Sequence, residues 1–184
     1  MRLQEIAQPK AAIIKWLTSV GVKNYTIRDD GIVDIDGDVS LQLRDETSIP
    51  FQFGQVSGDF VCGHNNLTSL VGAPQSVGRN FYCHNNKLPS LVGAPQFVGR
   101  GFYCHDNNLT SLTGAPQSVS GYFYCSGNPQ LKILPIFKIR GITKIFHEAQ
   151  EILNKYYNPD GSGDIIAAQD ELIDAGFGAI ARMK

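Results

Sequence analysis

The chain is predicted to fold as an α/β repeat solenoid: a parallel sheet of about five short strands, with a helix and hairpin capping its N-terminal end and helices capping its C-terminal end. Three observations carry this expectation. Near-copies of one 21-residue segment fill the middle of the chain, so that Phe60, Phe81, Phe102 and Phe123 fall in step, as do Cys62, Cys83, Cys104 and Cys125, and then Asn65, Asn86, Asn107 and Asn128. A fixed period of this length means that no unit buries its apolar face alone and that neighbours stack into one continuous core. Within each copy, apolar residues two apart give way to leucines at wider spacing, the change from a strand to a return path. On either side of the repeats the apolar spacing becomes helical, as caps require.

Residues 1–36 read as the N-terminal cap. Ile6, Ile13, Ile14, Trp16, Leu17 and Val20 make one apolar stripe over residues 1–20, with Pro9 suited to a first helical turn. From Tyr25 to Leu41 apolar and polar residues alternate around Asp-Gly turn signals, the pattern of a hairpin feeding the first repeat.

The array itself spans 37–135. Gly37-Asp38-Val39-Ser40-Leu41 lines up with Gly58-Asp59-Phe60-Val61-Cys62, which adds a degenerate first unit to the four clear copies. Phe81-Tyr82-Cys83 reads as a strand with Phe and Cys inward and Tyr outward. Asn86 turns the chain, and an Asn at the same place in each unit can satisfy backbone groups of neighbouring turns. Leu88 and Leu91 add core, and Gly93-Ala94-Pro95 punctuates a return path on which proline is expected to block strand pairing. Gln130 replaces Leu109, and Lys144 stands where the next inward Phe is due, so the array is expected to end near Pro135.

Residues 136–184 read as the C-terminal cap. Ile142, Ile145, Phe146, Ala149, Ile152, Leu153 and Tyr156 make a second helical stripe, stopped by Asn158-Pro159-Asp160-Gly161. A last helix covers roughly 163–182, with a break near Gly176.

Composition narrows the function classes. With 16 basic and 17 acidic residues, a net charge of −1 and neither sign concentrated in any segment, there is no electrostatic footprint for nucleic acid or an anionic membrane. The first residues lack the apolar run and small-residue cleavage site of a secretory signal, and no stretch approaches a membrane span. The expectation is a soluble protein not secreted by a standard signal.

The pattern Phe81-x-Cys83-x-x-Asn86-x-Leu88-x-x-Leu91 resembles the core of leucine-rich repeats, with Phe and Cys at two aliphatic positions. The Gly-Ala-Pro that follows resembles the extended return of bacterial repeats in type III secreted effectors. The phrasing Asn-Asn-Leu-Thr-Ser-Leu-x-Gly-Ala-Pro, the lead-in Phe53-Gly54-Gln55-Val56-Ser57-Gly58-Asp59-Phe60, and the tail Gly163-Asp164-Ile165-Ile166 to Ala175-Gly176 are similar to leucine-rich repeat proteins of tailed bacteriophages, whose function is unassigned. That resemblance covers nearly the whole chain. It implies a viral protein acting in the cytoplasm of an infected bacterium, and leaves its partner open. Effectors with such repeats often carry a ubiquitin-ligase domain, but only a short segment follows Pro135 and all four cysteines lie in repeats, so no ligase is expected.

Chemistry-bearing constellations are weighed on geometry. Equivalent positions on adjacent parallel strands stand about 4.8 Å apart, so the first and fourth sulfur are about 14 Å apart, too far for one zinc holding thiolates at about 2.3 Å. Side-by-side Cβ vectors and a reducing compartment argue against disulfides, which leaves the cysteines as small core hydrophobes. Cys83-His84 and Cys104-His105 look like nucleophile and base, yet successive strand residues point to opposite faces. Asp160-x-Ser162-x-Asp164 with Glu171 mimics a calcium loop, but Ile165 stands where Gly is required, and helix capping by Ser162 or Asp164 is the alternative. No catalytic residue, metal site or cofactor is therefore expected.

The outward strand residues are the candidate site. Tyr82, Tyr103 and Tyr124 form one column with Val61, and His84 and His105 form the next with Gly63 and Ser126. Tyr122 extends the face, Arg79 and Arg100 stand at its edge, and Asp106 lies on an adjoining loop. Aromatic residues favour exposed strand positions in any sheet. Tyr and Arg also dominate protein-binding hot spots, and the face resembles the concave binding face of leucine-rich repeat proteins. The expected function is a non-enzymatic protein-binding module that modulates or inhibits a host protein, such as one of defence. The alternatives are a virion structural or assembly protein and, against the charge balance, a single-stranded nucleic-acid binder on the tyrosines.

Overall fold

The computed structural model describes residues 10–181, wound into a β-solenoid of about five turns with two parallel sheets. Its N-terminal helix α1 (Lys10–Ser19) is followed by the hairpin β1 (Tyr25–Ile27) and β2 (Val33–Ile35). Then come β3 (Val39–Ser40), β4 (Phe53–Val56), β5 (Phe60–Val61), β6 (Ser76–Val77), β7 (Phe81–Tyr82) and β8 (Phe97–Val98). The last repeats supply β9 (Phe102–Tyr103), β10 (Ser118–Val119) and β11 (Tyr122–Tyr124). A 3-10 turn (Leu134–Lys138), strand β12 (Lys144–Phe146) and helices α2 (Gln150–Tyr156) and α3 (Ile165–Asp174) follow.

The front sheet runs β12-β11-β9-β7-β5-β3, all parallel, with Phe60 opposite Phe81, Phe81 opposite Phe102 and Phe102 opposite Phe123. The back sheet runs β1-β2-β4-β6-β8-β10 and is parallel from β2 onward. One turn therefore visits both sheets. Apolar side chains from each point between them, where Phe60, Phe81, Phe102 and Phe123 stack at ring separations of 5.6, 5.3 and 5.2 Å. Each ring is fully buried, worth about 1.5–3 kcal/mol apiece. At the N-terminal end Trp16 meets Phe51 and Phe53 edge-on, and Phe53 meets Phe60 in the same way, so α1 closes the column.

A ladder of buried asparagines closes the turns. Asn86 Nδ2 lies 3.0 Å from the Cys62 carbonyl one turn back and 3.1 Å from its own turn's Cys83 carbonyl, while its Oδ1 accepts the Leu67 N–H at 2.9 Å. Asn107 and Asn128 repeat this arrangement, and Asn65 begins it by accepting from Arg44 and Glu46. His64, Asn85, Asp106 and Gly127, each just before a ladder asparagine, all have φ between 52 and 68°. That left-handed turn is what Asn, Asp and Gly tolerate best.

Four expectations are corrected. The return path is not a loop beside a single sheet: Pro95 ends the turn, and the Gln96 N–H already bonds the Gln75 carbonyl at 2.8 Å, so Phe97–Val98 pairs fully. Proline here stands before the strand rather than within it, where its missing donor costs no ladder bond. The front sheet also continues past Pro135, because Ile145 lies opposite Phe123 with an offset of 22 rather than 21. One inserted residue moves Lys144 beside Tyr122 and returns an apolar residue to the core. The stripe from Ile142 to Tyr156 is accordingly a strand followed by a short helix. The last helix is shorter than 163–182, ending at Asp174. Ile6 and Pro9, assigned to the first helix, lie outside the described residues.

Candidate binding face

The front sheet turns alternate side chains outward, and it places the predicted columns side by side. Tyr82 stacks on Tyr103 at 4.6 Å with rings 14° from parallel, Tyr103 on Tyr124 at 6.3 Å, and Tyr124 on Phe146 at 5.1 Å. His84 stacks on His105 at 4.6 Å and 17°. The two columns touch where His105 meets Tyr124 edge-on at 4.7 Å. Tyr122 is the most open of the tyrosines at 49% exposure and packs edge-on against Phe146.

Stacking along the sheet decides what this face offers a ligand. Ring planes lie against one another, so ring edges, phenol hydroxyls and imidazole nitrogens are what remain for contact. The Tyr103 ring has neighbours on both sides and leans over Gly101, where a Cβ would come within 2.5 Å of it. His84 lies over Gly63, where a Cβ would stand 2.8 Å from the imidazole Cε1. Glycine at these two positions makes the room into which the rings settle.

Burial raises the Tyr82 and Tyr103 hydroxyl pKa values above the ordinary phenol value, keeping both groups protonated donors. The His84 imidazole falls to about 4, first from burial and then from the nearby His105 and His64 rings. Its Nδ1 is buried without a hydrogen-bond partner. His105 Nδ1 is 2.8 Å from Asp106 Oδ2. The face is thus mostly neutral and aromatic, with one His–Asp pair at its margin.

Arg79 and Arg100 are exposed one turn apart at the corner between the two sheets, and neither guanidinium has a carboxylate partner among the described residues. Of the turn residues beside the face, Asn85 and Asp106 reach the surface, whereas Asn65 and Asn107 are buried in the ladder. Sequence reasoning missed two members of the face. His64 sits edge-on to His84 at 4.8 Å, one position beyond the residue aligned with it. Phe146 ends the tyrosine stack, hidden by the one-residue insertion before β12.

The four thiols are fully buried and unpaired, and burial pushes each pKa up, so none is a ready thiolate. Among the described residues no three His, Cys, Asp or Glu side chains converge as a metal site. Asp160 accepts from the N–H and hydroxyl of Ser162, and Asp164 caps α3 by accepting from the Ala167 N–H, which assigns both carboxylates to local turns. No helix among the described residues is long and apolar enough to cross a membrane. Comparison with protein-family models, with curated proteins and with solved structures gives no match for this chain.

Proposed function

We propose that this chain is a non-enzymatic protein-binding module of the bacterial leucine-rich repeat type, a bacteriophage protein whose front sheet binds and modulates a host protein. The observation that carries the binding reading is the Tyr82-Tyr103-Tyr124-Phe146 stack, flanked by His84 and His105. Its aromatic side chains are already fixed, so binding costs little side-chain entropy, which otherwise runs to about 0.5–1.5 kcal/mol for each immobilised side chain. Repeat pattern and cap phrasing supply the leucine-rich repeat and phage assignments, and the bacterial cytoplasm follows from them.

The same stacking disfavours single-stranded nucleic acid. Base stacking needs a free ring face, and here each interior ring face is taken by its neighbour. Six strands at about 4.8 Å, with outward residues about 6.7 Å apart along each strand, make a patch of only a few hundred Å². A standard interface takes about 800 Å² per partner, so the partner also reaches Arg79, Arg100 and the Asn85–Asp106 loop margin.

The test is an affinity capture from infected and uninfected bacterial lysates with the wild type beside Tyr82→Ala/Tyr103→Ala, read by mass spectrometry. A host protein held by the wild type and lost by the variant supports the proposal. Capture of viral structural proteins alone favours a role in virion assembly, and equal capture by both versions removes the tyrosine face from the site.

A further inference from the structure

The back sheet bears a second feature that the tyrosine face does not explain. A groove of about 850 Å³ runs along it, with Gln55, Ser76, Phe97 and Ser118 among its lining and Lys23 at its N-terminal end. Phe97 is 54% exposed, between Ser76 and Ser118 at the same register on the neighbouring strands. The scaffold therefore does not need an aromatic ring there, and the serines leave a recess on each side of it. Gly78 and Gly99 also line the groove and lead directly into Arg79 and Arg100. Both guanidinium groups are exposed on neighbouring turns, and neither has a carboxylate partner among the described residues.

We propose that this groove docks an extended peptide segment of a protein partner that carries two carboxylates two residues apart, with an apolar side chain between them. In an extended chain, side chains two residues apart lie on the same side, about 6.7 Å from each other. Two long arginine side chains rooted about 4.8 Å apart can spread to meet that spacing, each as a bidentate donor to one carboxylate. The apolar residue then covers Phe97. Charge complementarity also selects against a polyphosphate chain: Asp34, paired with Arg28, and Asp36, bonded to the Ser57 hydroxyl, stand among the lining residues. A phosphate at every step would meet those carboxylates, whereas acids confined to one margin do not. This site goes beyond the tyrosine-face reading and shares with it only the arginine corner.

Fluorescence anisotropy with a labelled Leu-Glu-Leu-Glu-Leu-Glu peptide tests the proposal, with the Leu-Gln and Leu-Lys counterparts and a labelled oligothymidylate as comparisons. The Glu peptide is expected to bind, and to weaken at least about tenfold both in Arg79→Gln/Arg100→Gln and in Phe97→Ser. Phe97→Ser introduces the residue the adjacent strands already carry, so folding is preserved, as circular dichroism checks. Tyr82→Ala/Tyr103→Ala is expected to leave peptide binding unchanged, which separates this site from the front face. Equal binding of the Glu and Gln peptides, indifference to Phe97→Ser, or tighter binding of the oligothymidylate through the same arginines would each overturn the inference while leaving the tyrosine reading intact.

Discussion

Asn107→Ala removes one rung of the asparagine ladder and nothing else from the surface. Asn107 is 5% exposed; its Nδ2 lies 3.0 Å from the Cys83 carbonyl and 3.2 Å from those of Cys104 and His105, and its Oδ1 accepts the Leu88 N–H at 3.1 Å. The Cys83 carbonyl retains Asn86, but the Leu88 N–H is left without its side-chain acceptor. An orphaned buried donor costs about 1–3 kcal/mol, and the two bonds that an amide NH₂ can make at once contribute about 1 kcal/mol each net. The expected loss is about 3–5 kcal/mol, a large part of the roughly 5–15 kcal/mol that holds a domain folded. Urea unfolding followed by far-UV circular dichroism and by the emission of Trp16, the only tryptophan, measures it. Asn108→Ala is the control, since this exposed neighbour makes no side-chain bond and should shift stability by less than about 0.5 kcal/mol. A loss below about 1 kcal/mol for Asn107→Ala would refute the reasoning, because the ladder amides would then be replaceable by solvent.

Three further outcomes are expected. His84 binds its proton near pH 4 in the folded chain against an ordinary imidazole value of 6.5, so across that window the unfolded chain holds more protons and stability falls as pH falls. Discounted for the ring's partial exposure, the loss is about 1–2 kcal/mol between about pH 7.5 and 4.5; His147, also lowered by burial, acts in the same direction. Urea midpoints against pH check it: His84→Gln should flatten the slope, and stability that rises on acidification contradicts the assignment. Iodoacetamide at mild alkaline pH should modify none of the four cysteines in the folded protein and all four in denaturant, read by intact mass; rapid native labelling would mean the thiols are not core residues. Excising residues 85–105 joins His84 to Asp106 and recreates a repeat junction already present, so a shortened solenoid should fold cooperatively. Removing 86–105 instead leaves one extra residue between Cys83 and the next ladder asparagine and should not, because the amide then no longer stands at the spacing from which it reaches the carbonyls two and three residues back. Equal behaviour of the two deletions would break the ladder argument.

The repeat, the inward Phe, Cys and Leu positions and the asparagine ladder were legible because each recurs at a fixed spacing, and recurrence reports a shared environment. The back sheet was not read, because Gln96-Phe97-Val98 is too short to show alternation and stands directly after a proline. Ser76 and Ser118, at the Phe97 register on the adjacent strands, give no strand signal either, and only the stacking of turns makes a sheet of them. Strand β12 was missed for a different reason. A repeat sought at 21 residues finds Lys144 at an inward position, whereas the structure absorbs one extra residue and uses Ile145. At the candidate site, the order of the columns follows from alternation along each strand. The stacking of Tyr103 over Gly101 and of His84 over Gly63 depends on side-chain direction, which spacing does not reveal.

Inward and outward positions of this solenoid carry separate demands. Phe, Cys, Asn and Leu recur turn after turn because every turn buries them against the same neighbours, whereas outward positions at one register hold Val61, Tyr82, Tyr103 and Tyr124, or Gly63, His84, His105 and Ser126. The backbone pairing beneath each outward column is the same whichever residue stands there, so the ladder tolerates exchanges on that side. Tyr82→Ala and Tyr103→Ala therefore remove contact surface from the face while leaving the phenylalanine column and the asparagine ladder intact, and a binding defect in that variant reads as a loss of contacts rather than of fold. Phe97→Ser has the same property on the opposite sheet. Because the two faces stand on two sides of one core and meet only at the Arg79 and Arg100 corner, the two variants report on them separately.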